Sequence, residues 1–186
     1  MRKARERNQT AKSGRIAVVR SLSLSAQTGH INLGPLIFRC ALGRSGRRAR
    51  KCEGDDATPI GDVIIRRIVY RPDQALRPRS HLPTSPMRRH DGWCDAPGDR
   101  NYNRPIKHPY PASAEKLWRH DTLYDIVVVL GYNDQPRHRN RGSAIFMHIA
   151  REGLKPTEGC IAMTTSDLKR LIAVLRPNSK LRVLGA

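Results

Sequence analysis

The chain alternates short apolar runs with longer polar connections, a rhythm that fits strands better than helices. "RIAVVRSLSLSAQTGHINLGPLIFRCALG", residues 15–43, holds short β-rich runs broken by Gly29 and by Gly34 and Pro35, and predicts two or three strands with turns. After a polar loop, "VIIRRIVYR" returns to a strand pattern. "YDIVVVLGYN" and "SAIFMHIA" are nearly continuous apolar runs, as in central strands covered on both faces, with the turn-rich "DQPRHRNRG" between them. "TTSDLKRLIAVL" has another period. Leu168, Leu171, Ile172 and Leu175 stand at i, i+3, i+4 and i+7, with a Thr/Ser cap before them and Pro177 after, and predict a helix. "KLRVLGA" then closes the chain with a strand, and Ser113 is placed to cap a short second helix, "AEKLW".

Two regions lack this patterning. Residues 1–14 are polar and basic and read as a disordered arm, so the fold is expected to occupy 15–186 as one domain. Residues 71–113 are rich in Pro, Asp and Arg and almost free of periodicity, which predicts a long structureless loop, a feature usually tied to function. Trp93, Tyr102 and Tyr110 are read as anchors pinning that loop to the body, and Trp93 also as a candidate substrate contact. The sum is a mostly β domain with one good helix and no internal repeat.

The formal net charge is +19, and residues 1–60 alone hold thirteen Lys/Arg against four Asp/Glu. Such a field attracts polyanions. Nucleic acid is not the expected partner, because zinc-finger spacing and RNP-like strings are missing and only nine aromatic residues are available to stack on bases. An anionic wall polymer or a bacterial envelope surface suits the charge equally well. The N-terminus begins basic but lacks the run of roughly 7 to 15 apolar residues of a secretory signal, and no segment approaches the roughly 18 to 20 apolar residues of a membrane span.

Cys40, Cys52, Cys94 and Cys160 are spaced by 12, 42 and 66 residues, which fits no zinc pattern, so no metal site is expected. Cys40 and Cys52 are either a disulfide pair in an oxidising compartment or two separate thiols. Cys160 lies in "PTEGCIAM", directly after Gly159, twelve residues past His148 at the end of an apolar run. A histidine base and a tight turn that aims N–H groups at an oxyanion are what a cysteine nucleophile needs. A buried small hydrophobe beside Ile161 and Met163 is the other reading of the same residues.

The segment "GSAIFMHIAREGLKPTEGCIAM", with "CEGDDATPIGD" and "SDLKRLIAVLRPNSKLRV", resembles the L,D-transpeptidase catalytic domain, the YkuD family of bacterial peptidoglycan cross-linking enzymes. The similarity runs from about Arg15 to the end. His148 matches the family's first histidine, Thr157 its Ser/Thr, Gly159 its glycine and Cys160 its nucleophile, while Thr58, Pro59 and Gly61 match an earlier turn. The resemblance implies a β-sandwich with one or two short helices and a long Pro/Asp/Arg-rich insert. It implies catalysis by Cys160, His148 and Gly159, with the N–H groups of Gly159 and Cys160 as oxyanion donors, and no metal or organic cofactor. Thr157, Glu158, Tyr132, Asn133, Ser143 and Trp93 are the candidates for substrate contact.

The chain departs from the family pattern at Glu158, where a second histidine is usual, and at Ala162, where an arginine is usual. The loop between His148 and Cys160 is also slightly short. With nucleophile and base retained, these departures imply altered specificity before inactivity. The implied activity is cross-linking of stem peptides through a thioester, with 1,3 or 3,3 linkages, in the periplasm, by a chain taken as a monomer. Hydrolysis as an L,D-carboxypeptidase or amidase, and a non-catalytic basic module binding wall polymer or nucleic acid, are the alternatives.

Overall fold

The computed structural model describes residues 14–185, so most of the predicted N-terminal arm lies outside the described residues. The first apolar stretch forms three strands, β1 (Ile16–Arg20), β2 (Thr28–Leu33) and β3 (Leu36–Ala41). Then come β4 (Arg47–Arg48), β5 (Thr58–Pro59) and the long β6 (Gly61–Tyr70). β7 (Thr84–Pro86), β8 (Asp91–Cys94), β9 (Arg104–Lys107) and β10 (Ala114–Lys116) occupy the middle. β11 (Ile126–Leu130), β12 (Phe146–Ile149), β13 (Ile161–Met163), helix α1 (Thr165–Val174) and β14 (Lys180–Val183) complete the chain.

The main sheet has nine strands in the order β11-β12-β13-β3-β2-β1-β14-β6-β7, and a further pairing of β11 with β6 closes it into a ring. β6 makes this closure because it is long. Its first residues, Gly61 to Ile64, pair with β14, and from Ile65 onward it pairs with β11. Closure leaves fewer free strand edges.

Why β11 and β12 read as unbroken apolar runs follows from alternation. Successive strand residues face opposite sides. Ile126, Val128 and Leu130, with Met147 and Ile149, enter the main core beside Leu168, Leu171 and Ile172 of α1. Val127, Val129 and Phe146 face the other way into a second core with Trp93, Leu123 and Tyr124. All five residues of β11 are buried. At about 1.5–3 kcal/mol for each fully buried aliphatic side chain, the strand contributes on the order of 10 kcal/mol, an upper figure against an extended unfolded chain. Helix α1 begins where its cap predicts, with the Asp167 N–H donating to Thr164 Oγ1 at 3.2 Å, a contact of about 1 kcal/mol.

Two expectations are corrected. Residues 71–113 are not a structureless loop: β7 joins the main sheet, and β8 and β9 form a small antiparallel sheet completed by β10. "AEKLW" is not a helix, because Ala114, Glu115 and Lys116 pair with Cys94, Trp93 and Gly92. Cross-strand pairing and burial against the second core override local propensity here. Trp93 and Tyr102 tie the segment to the body as expected, whereas, among the described residues, Tyr110 hydrogen-bonds only within the segment itself. The Trp93 ring stands edge-on to Phe146 at 5.2 Å, Tyr102 donates to Glu53, and Tyr110 donates to Asp99 at 2.8 Å.

Candidate active site

β12 and β13 run parallel, with His148 beside Ala162. Cys160 immediately precedes β13; Ile161 and Met163 enter the main core, while Cys160 packs in the second core with Phe146. His148, Ala162 and Cys160 line a single cleft of about 710 Å³.

His148 is buried, and its Nδ1 lies 2.8 Å from the Ile149 carbonyl. A carbonyl only accepts, so Nδ1 carries the hydrogen and Nε2 is left with a lone pair, the form a base requires. The Tyr124 ring meets the imidazole edge-on at 5.1 Å. Burial pushes the His148 pKa down to about 4, so the ring is neutral above that. Cys160 is equally enclosed: the Phe146 N–H donates to Sγ at 3.3 Å, and the thiol donates to the Ala144 carbonyl at 3.2 Å. Its pKa is pushed up to about 12, first by burial and then by the Glu115 carboxylate, against the opposing pull of the Phe146 N–H and Lys51. At neutral pH the resting pair is therefore thiol and imidazole.

The turn before β13 is built from its own side chains. Gly159 has φ +122°, in the region that favours glycine, and a Cβ there would lie 2.9 Å from the Ala57 carbonyl oxygen. Thr157 Oγ1 donates to the Cys160 carbonyl at 2.6 Å and accepts from the Gly159 N–H at 3.2 Å. That N–H therefore has a partner within the turn. Thr58 of the earlier "ATPIGD" motif reaches the same point, 3.4 Å from the Cys160 carbonyl, so the two segments quoted from the sequence meet under the cysteine.

The other predicted contacts divide. Thr157, Glu158 and Ser143 line the cleft. Glu158 is solvent-exposed and ion-paired with Arg44 at 3.2 Å, a surface contact worth about 0–1 kcal/mol. The Ser143 hydroxyl donates to Glu53 at 2.8 Å. Trp93, Tyr132 and Asn133 do not line the cleft. Trp93 is buried behind Phe146, with its Nε1–H donated to Asn103 at 2.9 Å. Tyr132 donates to the Arg141 carbonyl at 2.8 Å, and Asn133 Nδ2 donates to the His138 and Gly142 carbonyls at 2.9 Å. Both hold the 131–142 loop just beyond the end of β11.

Sequence reasoning missed four residues. Asn103 is buried and joins the small sheet to the site: Oδ1 accepts from Trp93 and from the Ala144 N–H at 3.2 Å, and Nδ2 donates to the Tyr132 and Asn133 carbonyls. Lys51 is buried against Asp55 at 2.5 Å, and its Nζ would lie 3.3 Å from a Cβ on Gly159. Glu115 and Tyr124 line the cleft beside His148. Only the aromatic residue opening "YDIVVVL" carried a pattern signal. All four cysteines are free, including Cys40 and Cys52.

A cysteine and a histidine thus line one cleft of a mostly β ring that carries one α-helix among the described residues. The sequence model of the L,D-transpeptidase catalytic domain, YkuD, matches residues 25–183, and the chain belongs to this family. Its fold is also similar to the crystal structure of Mycobacterium tuberculosis L,D-transpeptidase 1, at 12% identity and a TM-score of 0.39, over 92% of this chain and 62% of that one. The chain thus spans less than two thirds of that protein's length. No curated protein matches the sequence. No helix among the described residues is long and apolar enough to cross a membrane, and none of their His, Cys, Asp and Glu residues cluster in a way that would hold a metal.

Proposed function

We propose that the protein is a cysteine-dependent L,D-transpeptidase that joins peptidoglycan stem peptides through a thioester on Cys160. The observation that carries this reading is the placement of Cys160 Sγ and a His148 ring with its Nδ1–H committed to Ile149 in one cleft. His148 Nε2 takes the thiol proton as Sγ attacks the carbonyl of an L-residue preceding a D-centre, so the thiolate forms during attack and not at rest. The Cys160 N–H is the oxyanion donor, since that of Gly159 is held by Thr157. Arg119, Arg151 and Lys155 along the cleft supply charge for substrate carboxylates in place of the arginine that Ala162 replaces. The linkage formed is 1,3 or 3,3, and the periplasm is the compartment where this substrate lies.

Incubation with purified muropeptides, followed by mass spectrometry, tests the reading. The expected result is cross-linked dimers with the unaltered chain, a thioester adduct on Cys160, and neither with Cys160→Ala. Undiminished product from Cys160→Ala overturns it, and monomeric trimmed stems as the sole Cys160-dependent product assign hydrolysis instead.

A further inference from the structure

Glu115 sits opposite Trp93 in the β8–β10 register, on the face of the small sheet that packs toward Phe146 and thence Cys160. Its Oε1 accepts a hydrogen bond from the Tyr124 hydroxyl at 2.5 Å, and Tyr124 in turn is packed on His148. Its other carboxyl oxygen takes no hydrogen bond among the described residues, and the residue lines the cleft. A carboxyl held by one oxygen and open at the other, beside a nucleophile and base, is placed to meet a reacting amine. The charged and titratable groups facing it are Tyr124, Arg119 and Asp95, with Glu158 and Cys160 across the cleft. His108 reaches only its main-chain carbonyl.

We propose that Glu115 is a catalytic residue that exchanges the proton of the substrate amine. The proposal rests on the cysteine acyl-transfer reading above. In the first half-reaction the Sγ–carbonyl bond forms and the C–N bond breaks; His148 holds the thiol proton, and Glu115, as the acid, gives its own to the departing nitrogen. In the second half-reaction Glu115, now a carboxylate, takes a proton from the incoming ammonium, the freed amine attacks the thioester, and Sγ leaves and recovers the proton from His148. The amine's surplus proton passes to water, which protonates the first product amine. One carboxyl serves both directions only if it titrates near the working pH. Burial, against the Tyr124 hydrogen bond, pushes Glu115 up to about 7.

The test compares the full chain with Glu115→Gln and Tyr124→Phe by two readouts. In muropeptide transfer, Glu115→Gln is expected to lose roughly 100-fold or more in kcat together with the pH dependence near 7. Tyr124→Phe, lacking the hydrogen bond that favours the carboxylate, is expected to keep that dependence but shift it to higher pH. The second readout is iodoacetamide labelling mapped to the Cys160 peptide, which needs no turnover. Without the Glu115 charge, Cys160 should label several-fold faster than in the unaltered chain above pH 7 and at the same rate at pH 5. Superimposable pH profiles of transfer in all three proteins, or labelling unchanged at every pH, overturn the proposal. Undiminished product from Cys160→Ala would instead sink the underlying reading, so the two failures are distinct.

Discussion

Lys51→Met removes a cation from a place where it cannot easily be replaced. Lys51 and Asp55 expose only 3% and 9% of their side chains and meet at 2.5 Å. Asp55 also accepts from the Cys52 N–H at 2.9 Å and the Ala57 N–H at 3.0 Å, so it shapes the loop whose Ala57 carbonyl lies against Gly159. Removing one partner of a buried pair strands the other charge, at a cost of about 3–5 kcal/mol. For a domain of this size that corresponds to a fall in Tm of roughly 6–20 °C. Thermal unfolding by circular dichroism, with Asp55→Asn and the double variant completing a cycle, measures it. The double variant should recover part of the loss, because no charge is then stranded. The sign with pH is also fixed. Burial raises the Asp55 pKa, but Lys51 and the two N–H groups together outweigh it and hold it below the ordinary value of 3.8. The pair's contribution is therefore present above that value and lost as pH falls through the lower folded one. A Lys51→Met protein within about 1 kcal/mol of the unaltered chain at pH 7 would refute the claim that this ion pair supports the nucleophile turn.

Gly159→Ala should destabilise by about 1–3 kcal/mol, through a strained φ and a contact with the Ala57 carbonyl, and should abolish transfer while the sheet still folds; chemical denaturation and the muropeptide assay check both. In native thiol labelling at pH 7, Cys52, which is exposed, should react before Cys160, Cys40 and Cys94, which are buried. Cys160 labelling first would show that its thiolate is favoured at rest and overturn the neutral-pair description.

The alternation of strands and the single capped helix were legible in the sequence because each rests on local chemistry, a side-chain period and a cap, whereas "PTEGCIAM" and "ATPIGD" stood out through their resemblance to the family pattern. The unbroken run "IVVVL" even implied two covered faces, although not what covers the second. The 71–113 region was illegible because its strands are three or four residues long, carry Pro and Gly, and are held by pairing with distant β6 or with each other and by Trp93 on Phe146. Periodicity cannot register so short an element.

The same limit explains the site. Sequence supplied Cys160, His148, Gly159 and Thr157, which lie within thirteen residues of one another. It placed Tyr132, Asn133 and Trp93 among the substrate contacts, where the fold uses them to hold loops and cores. Lys51, Asn103 and Glu115 come from three other parts of the chain and enter the neighbourhood of Cys160 only after the ring closes and the small sheet docks. A nucleophile and its turn are properties of a short segment. Their burial, the charges that face them and the tautomer of the base depend on distant segments meeting, which only the tertiary structure decides.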